Sequence, residues 1–216
     1  MYPLPSRVLR LADEVWWVAH SDQSGRGRLH PRALGVGVAA GLLGELMLSG
    51  HADITGGVVV AANLPYRPDD ALAHTTLGRL LAEPGVRDVH TWLRFLGEDA
   101  CDAVAGRLVL DGRLIRHPAT WRRRAPLYEP VDTNDAIRTV SRLYSSLHRG
   151  EQLSAVDQVL VGLVDATGLT RAVLFDSPPG VEDRLRAWVA ALPAGLRELV
   201  GWTESVISRV VLTHRA

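Results

Sequence analysis

The stretch Pro31-Arg-Ala-Leu-Gly-Val-Gly-Val-Ala-Ala-Gly-Leu-Leu-Gly-Glu-Leu-Met-Leu-Ser-Gly50 decides how the rest of the chain is read. Pro31 suits the first turn of a helix, where its missing N–H costs nothing, and Gly50 suits the stop. Between them nearly every position is apolar, so the helix has no face to give to water and must be covered on all sides. Gly37, Gly41 and Gly44 recur about one turn apart, which strips side chains from one face and lets a neighbouring helix approach closely. The run from Ala33 to Leu48 is shorter than the ~20 residues a bilayer span needs, and it carries Glu45. Nor is it a dinucleotide loop: Gly35-x-Gly37-x-x-x-Gly41 has one residue too many, and a loop rather than a strand precedes it. The spacing predicts the central helix of a packed core.

Outward from this helix the pattern stays helical. Before it, Ser6 precedes Val8, Leu11, Val15 and Val18 at helical spacing, with Trp16 and Trp17 side by side. Adjacent positions on a helix diverge by about 100°, so one indole is expected in the core and the other near a boundary. After it, Ile54 to Ala62 reads as a short β-hairpin ended by Pro65 and Pro68. Asp69 or Asp70 caps a helix through Leu81, a short helix covers Val89 to Leu96, and another runs from about Glu98 to Leu110. Asp132 or Thr133 opens a helix toward His148, Ser154 opens one stopped by Gly168, and two more cover roughly 181–192 and 195–212. The expectation is a mainly α fold: a single compact helical domain over residues 1–216, with a central glycine-containing buried helix and two short β-hairpins.

Composition narrows the chemistry. The chain has 216 residues, and its 24 basic side chains, balanced by 24 acids, are all Arg. Without Lys there is no P-loop lysine, no Schiff base and no kinase β3 lysine. A formal charge of zero gives the whole molecule no electrostatic pull toward nucleic acid, so no nucleic-acid partner is expected. Cys101 is the only cysteine, which excludes an internal disulfide and suits a cytosolic redox setting. Met1-Tyr-Pro-Leu-Pro5 lacks the basic-then-apolar order of a signal peptide. The eight histidines have no H-x-x-x-H spacing and are expected on the surface, so no metal is expected. The adjacent acids at 13 and 14, 69 and 70, and 98 and 99 read as helix caps rather than a catalytic dyad. No nucleophile elbow is present and no cofactor motif, so the chain is expected to be non-enzymatic.

One segment departs from neutrality. From Arg107 to Arg124 six Arg stand against one Asp, a net +5. Leu114 to Tyr128 reads as a second hairpin around Pro118-Ala-Thr120, with Trp121-Arg-Arg-Arg124 near its turn. Indole favours the headgroup layer of a membrane, and basic residues there contribute about 1 kcal/mol each on an anionic leaflet. Trp121, Arg122, Arg123, Arg124 and Arg116 are therefore the candidate membrane contacts.

The order of these segments resembles the Golgi phosphoprotein family, adaptors that bind phosphatidylinositol 4-phosphate, and their bacterial relatives. The resemblance rests on Gly37-Val-Ala-Ala-Gly-Leu-Leu-Gly-Glu-Leu-Met-Leu-Ser-Gly50, supported by Leu11-Ala-Asp-Glu14, Gly106-Arg-Leu-Val-Leu-Asp-Gly112 and the helix Leu160 to Leu169. It implies a mainly helical domain whose β-hairpin, here about 114–128, aids membrane contact and self-association. It also implies a headgroup pocket, built in eukaryotic members from a Trp before the glycine helix, an Arg within it, and two Arg from the helix before the hairpin. The corresponding places here hold His30, Ala39, Glu98 and Cys101, and none matches. Arg26, Arg28, Arg32 and Arg94 lie near the same positions and are the candidate substitute phosphate contacts.

The resulting expectation is a cytoplasmic protein, peripheral at the inner membrane face, that binds anionic phospholipid headgroups through the Trp/Arg hairpin. The alternative is a helical scaffold whose hairpin mediates homo-oligomer formation or docks a protein partner.

Overall fold

The computed structural model describes residues 10–21, 25–121, 125–174 and 180–212. Ten helices and two two-stranded antiparallel sheets lie within them. The glycine helix is α2 (Pro31–Leu48), and it packs against α1 (Leu11–Ala19), α3 (Ala71–Ala82), α4 (Val89–Gly97), α5 (Ala100–Leu110), α7 (Ala155–Ala166), α10 (Ala194–Leu212) and β1 (Ala52–Thr55). Although α2 is apolar enough by composition to cross a membrane, the fold buries it among these elements.

The glycines do what their spacing predicts. A methyl group built on Gly41 would stand 2.7 Å from the Cα of Ala12, and one on Gly44 would strike Leu11 at 2.5 Å, so α1 lies directly on the bare face. Gly35 meets the carbonyl of Gly97 with no room for a side chain, which seats the end of α4 against the first turns of α2. Such close approach gains dispersion contacts that any larger residue would lose.

Helix α1 departs from expectation. Trp16 and Trp17 are both 1% exposed, because α1 is buried along its whole length rather than on one stripe. Trp16 stacks on His20, with ring centroids 3.8 Å apart, and Trp17 meets it edge-on at 5.1 Å. The histidines are likewise not all superficial. His20 and His51 are buried. Burial, resisted by a bond to the Trp16 carbonyl, pulls His20 down to about 4.

The first hairpin joins β1 to β2 (Val58–Ala61). The second joins β3 (Leu114–His117) to β4 (Leu127–Pro130) in the register Leu114 opposite Pro130 and His117 opposite Leu127, so it reaches two residues past the expected end at Tyr128. α6 (Thr133–Arg149) and α7 begin at Asp132 and Ser154, whose side chains accept backbone N–H groups as capping residues. Gly168, at φ +76°, ends α7 in the left-handed conformation that only glycine adopts freely. A short helix, α8 (Thr170–Val173), follows α7, and α9 (Val181–Ala191) precedes α10.

Candidate functional site

The most concentrated chemistry in the molecule is internal. Arg107, on α5 and 6% exposed, lies where α1, α2 and the start of α3 meet. Its Nε and Nη2 donate to Asp13 Oδ1 at 2.9 and 2.7 Å, Nη2 and Nη1 reach the two oxygens of Glu45 at 3.0 and 3.1 Å, and Nη1 donates to Asp70 Oδ2 at 2.8 Å. The acids are held in turn. Glu45 Oε1 accepts the Ala12 N–H and Asp70 Oδ2 accepts the Ala73 N–H, each at 2.8 Å. Burial opposes the charge on Arg107, but the bonds to Glu45 and the surrounding carboxylates raise its affinity for the proton further. Asp13 is pushed up to about 6, because its burial outweighs its share of that guanidinium. Asp70 is held below its ordinary value: burial raises it, but the Ala73 N–H and Arg107 prevail.

A second set continues this network. Arg113 donates to Asp135 at 3.1 Å, lies 3.8 Å from Asp13 Oδ2 and sits over the Trp17 ring at 5.1 Å. Arg142 joins Glu14 and Asp157. The acids at 13 and 14 are therefore buried partners of arginine, not caps. Arg107 and Arg113, two of the six cations in the expected basic segment, are likewise neutralised inside the fold.

The hairpin carries the exposed aromatic group. Trp121 is 86% exposed, and Arg116 on β3 is exposed too. Arg122, Arg123 and Arg124 lie outside the described residues. On β4, the Tyr128 hydroxyl donates to Asp102 at 3.2 Å, which ties the hairpin to the start of α5. The Tyr128 carbonyl abuts Gly25, so the loop leading from α1 to α2 lies against the hairpin.

Where that loop enters α2 an open cleft of about 680 Å³ lies between α2, α4 and α10. Arg32, Arg94 and Arg209 line it with His90, Thr91 and Glu98, and Val36, Phe95 and Val206 supply apolar wall. The side chains of Arg32 and Arg94 form no hydrogen bond or ion pair with any described residue, and neither does Glu98, although Arg94 and Glu98 stand four residues apart. Elsewhere arginine is mostly engaged, as Arg10 is with Asp111 at 2.8 Å and Arg79 with Asp99 at 2.7 Å.

Of the substitute phosphate contacts, Arg32 and Arg94 come together in this cleft. Arg28 does not line it, and its Nε donates to the His20 carbonyl at 3.1 Å. Arg26 is exposed beside the hairpin and also lies off the cleft wall. Arg209 was not foreseen, because nothing in its spacing links it to residues so far away. At the unmatched family positions, His30 caps α2 through its Nδ1, which accepts the Arg32 N–H at 3.3 Å. Ala39 is fully buried, and Glu98 faces the cleft. Cys101 is half-buried, and burial, with a smaller push from Asp102, raises its thiol to about 12, far from thiolate reactivity at neutral pH. Among the described residues no group of His, Cys, Asp and Glu is placed to hold a metal.

A helical domain built around a buried glycine helix, with a cleft lined by arginines at that helix's start and two short hairpins, defines a class of mainly α proteins. The chain belongs to the family described as Golgi phosphoprotein 3 (GPP34), whose model matches residues 11–202. No curated protein matches it significantly.

Proposed function

We propose that this protein is a peripheral membrane protein of the cytoplasmic leaflet, working by binding phospholipid headgroups rather than by catalysis. The observation that carries this reading is the pair Arg32 and Arg94, which face an open cleft and pair with no described residue. A guanidinium fork binds phosphate oxygens through two parallel hydrogen bonds, and an arginine without an internal partner has both to offer. Trp121, exposed on the second hairpin, supports it as an anchor of the kind that enters a headgroup layer. The cleft, rather than the hairpin alone, is the headgroup site in this reading.

Liposome co-sedimentation tests it. Binding should rise steeply when phosphatidylglycerol is added to phosphatidylcholine vesicles, and R32A/R94A should weaken it by about 30-fold, at ~1 kcal/mol per arginine. Equal binding to neutral and anionic vesicles, or an unchanged R32A/R94A variant, would overturn it.

A second reading has one observation of its own. Leu110, Ile115 and Val131 are all exposed at the root of the second hairpin, an apolar surface that suits self-association. It predicts a dimer by light scattering that is lost when residues 114–128 are replaced by a short loop.

A further inference from the structure

The cleft is not purely cationic. Glu98 stands at the end of α4, on the same cleft wall as Arg94, and the side chains of both bond to no described residue. Opposite charges four residues apart on a helix gain little by pairing when the base precedes the acid, as Arg94 precedes Glu98. Here the base and the acid each remain available to a ligand. Phosphate alone would satisfy the arginines and be repelled by Glu98. A ligand carrying an ammonium close to its phosphate satisfies both, since ammonium to carboxylate is a charge-assisted hydrogen bond. Phe95, half-exposed on the same wall, presents an aromatic ring to that cation.

We infer that the cleft takes an aminoalkyl phosphate, the chemistry of an ethanolamine phospholipid headgroup or of free phosphoethanolamine. The phosphate lies on Arg32 and Arg94, and the ammonium lies on Glu98. This rests on the headgroup reading above and narrows its ligand. Glu98 is then the residue that selects among phosphates, favouring one with an ammonium over glycerol phosphate and disfavouring polyphosphates.

Two arms test the inference. In the first, vesicles hold a fixed share of phosphatidylglycerol while phosphatidylethanolamine replaces phosphatidylcholine. Wild type should bind about tenfold more tightly, the equivalent of ~1.4 kcal/mol, and E98Q should lose that gain while its response to phosphatidylglycerol rises, because the carboxylate that repels a bare phosphate is gone. In the second arm, without membrane, O-phosphoethanolamine should shift the Arg32 and Arg94 side-chain NMR signals at lower concentration than glycerol 3-phosphate does, and E98Q should equalise the two. Since the Glu98 side chain makes no bond to any described residue, E98Q should fold with unchanged circular dichroism. No ethanolamine preference in either arm, or the same preference in E98Q, overturns the inference even if anionic vesicles still bind. Preference in the second arm with no vesicle binding overturns the membrane reading and assigns the site to the free phosphate. Equal response to glycerol 3-phosphate in wild type refutes the ammonium assignment.

Discussion

Arg107 lies among three carboxylates in the interior, whereas Arg94, on the neighbouring helix, faces an open cleft and bonds to none. Both side chains are permanently charged under any physiological condition. What separates them is where the compensating charge comes from. Asp13, Glu45 and Asp70 bring α1, α2 and α3 onto Arg107, so the fold supplies the anions and the result is cohesion. At the cleft the carboxylate on the wall, Glu98, is not bonded to Arg32 or Arg94, and the charge remains for an outside partner. A net charge of zero hides this division, because it counts both kinds of arginine alike.

The largest break in the comparison comes from truncating the interior cation. R107A leaves three carboxylates around a vacated guanidinium, and losing one partner of a buried pair costs about 3–5 kcal/mol. Urea denaturation should show that loss or an unfolded protein. A change under 1 kcal/mol would mean that the acids rearrange to water and that the centre is not structural. R107M should recover little, since an apolar side chain fills the volume without answering the charges.

A second, smaller effect lies in the titration of the same centre. Asp13 binds its proton at about 6 in the folded protein against 3.8 for the ordinary carboxyl, so between those values the folded state holds more protons than the unfolded one. Stability contributed by this group is therefore fully present below pH 3.8 and is lost as pH rises through about 6. The slope from one such group is at most ~1.4 kcal/mol per pH unit. The difference in unfolding free energy between wild type and D13N, followed from pH 4 to 7, should fall with rising pH. A flat or rising difference would show that Asp13 is ionised throughout.

How far the sequence disclosed these two regions follows from the range over which each is encoded. The glycine spacing of α2 is local, and the contacts of Gly41 with Ala12 and of Gly44 with Leu11 answer it directly. Hairpins and caps are local too: Asp70, Asp132 and Ser154 sit where cap chemistry puts them. The Arg107 centre joins residues 94, 62 and 37 positions apart, and no pattern of spacing carries that. A signal did exist. Arg107 shares the buried face of α5 with Val104 and Leu108, and Asp13 and Glu14 sit within the otherwise apolar Leu11–Ala19, so charges on core faces were awaiting partners. Arg107 counts toward the net +5 of residues 107–124 but is buried, so that part of the charge never reaches the surface. The cleft was half legible: Arg32 and Arg94 were within reach of the resemblance, and Arg209 depends on how α10 folds back.

The smallest effect on stability, and the sharpest test of the division, belongs to the cleft arginines. R32A and R94A remove charges that have no partner among the described residues, so each should shift unfolding free energy by no more than ~0.5 kcal/mol, as surface substitutions do. Salt then separates the two regions by a second route. Exposed charges are screened within about 8 Å at physiological ionic strength, and buried pairs much less. Raising salt from 50 to 500 mM should therefore weaken vesicle binding strongly while moving the urea midpoint little. If R94A destabilises the fold as R107A does, Arg94 is a structural cation and the cleft loses its claim to a ligand. If both variants are silent in stability and weaken binding, the same side chain does two kinds of work here, divided by whether the fold brings a carboxylate to it.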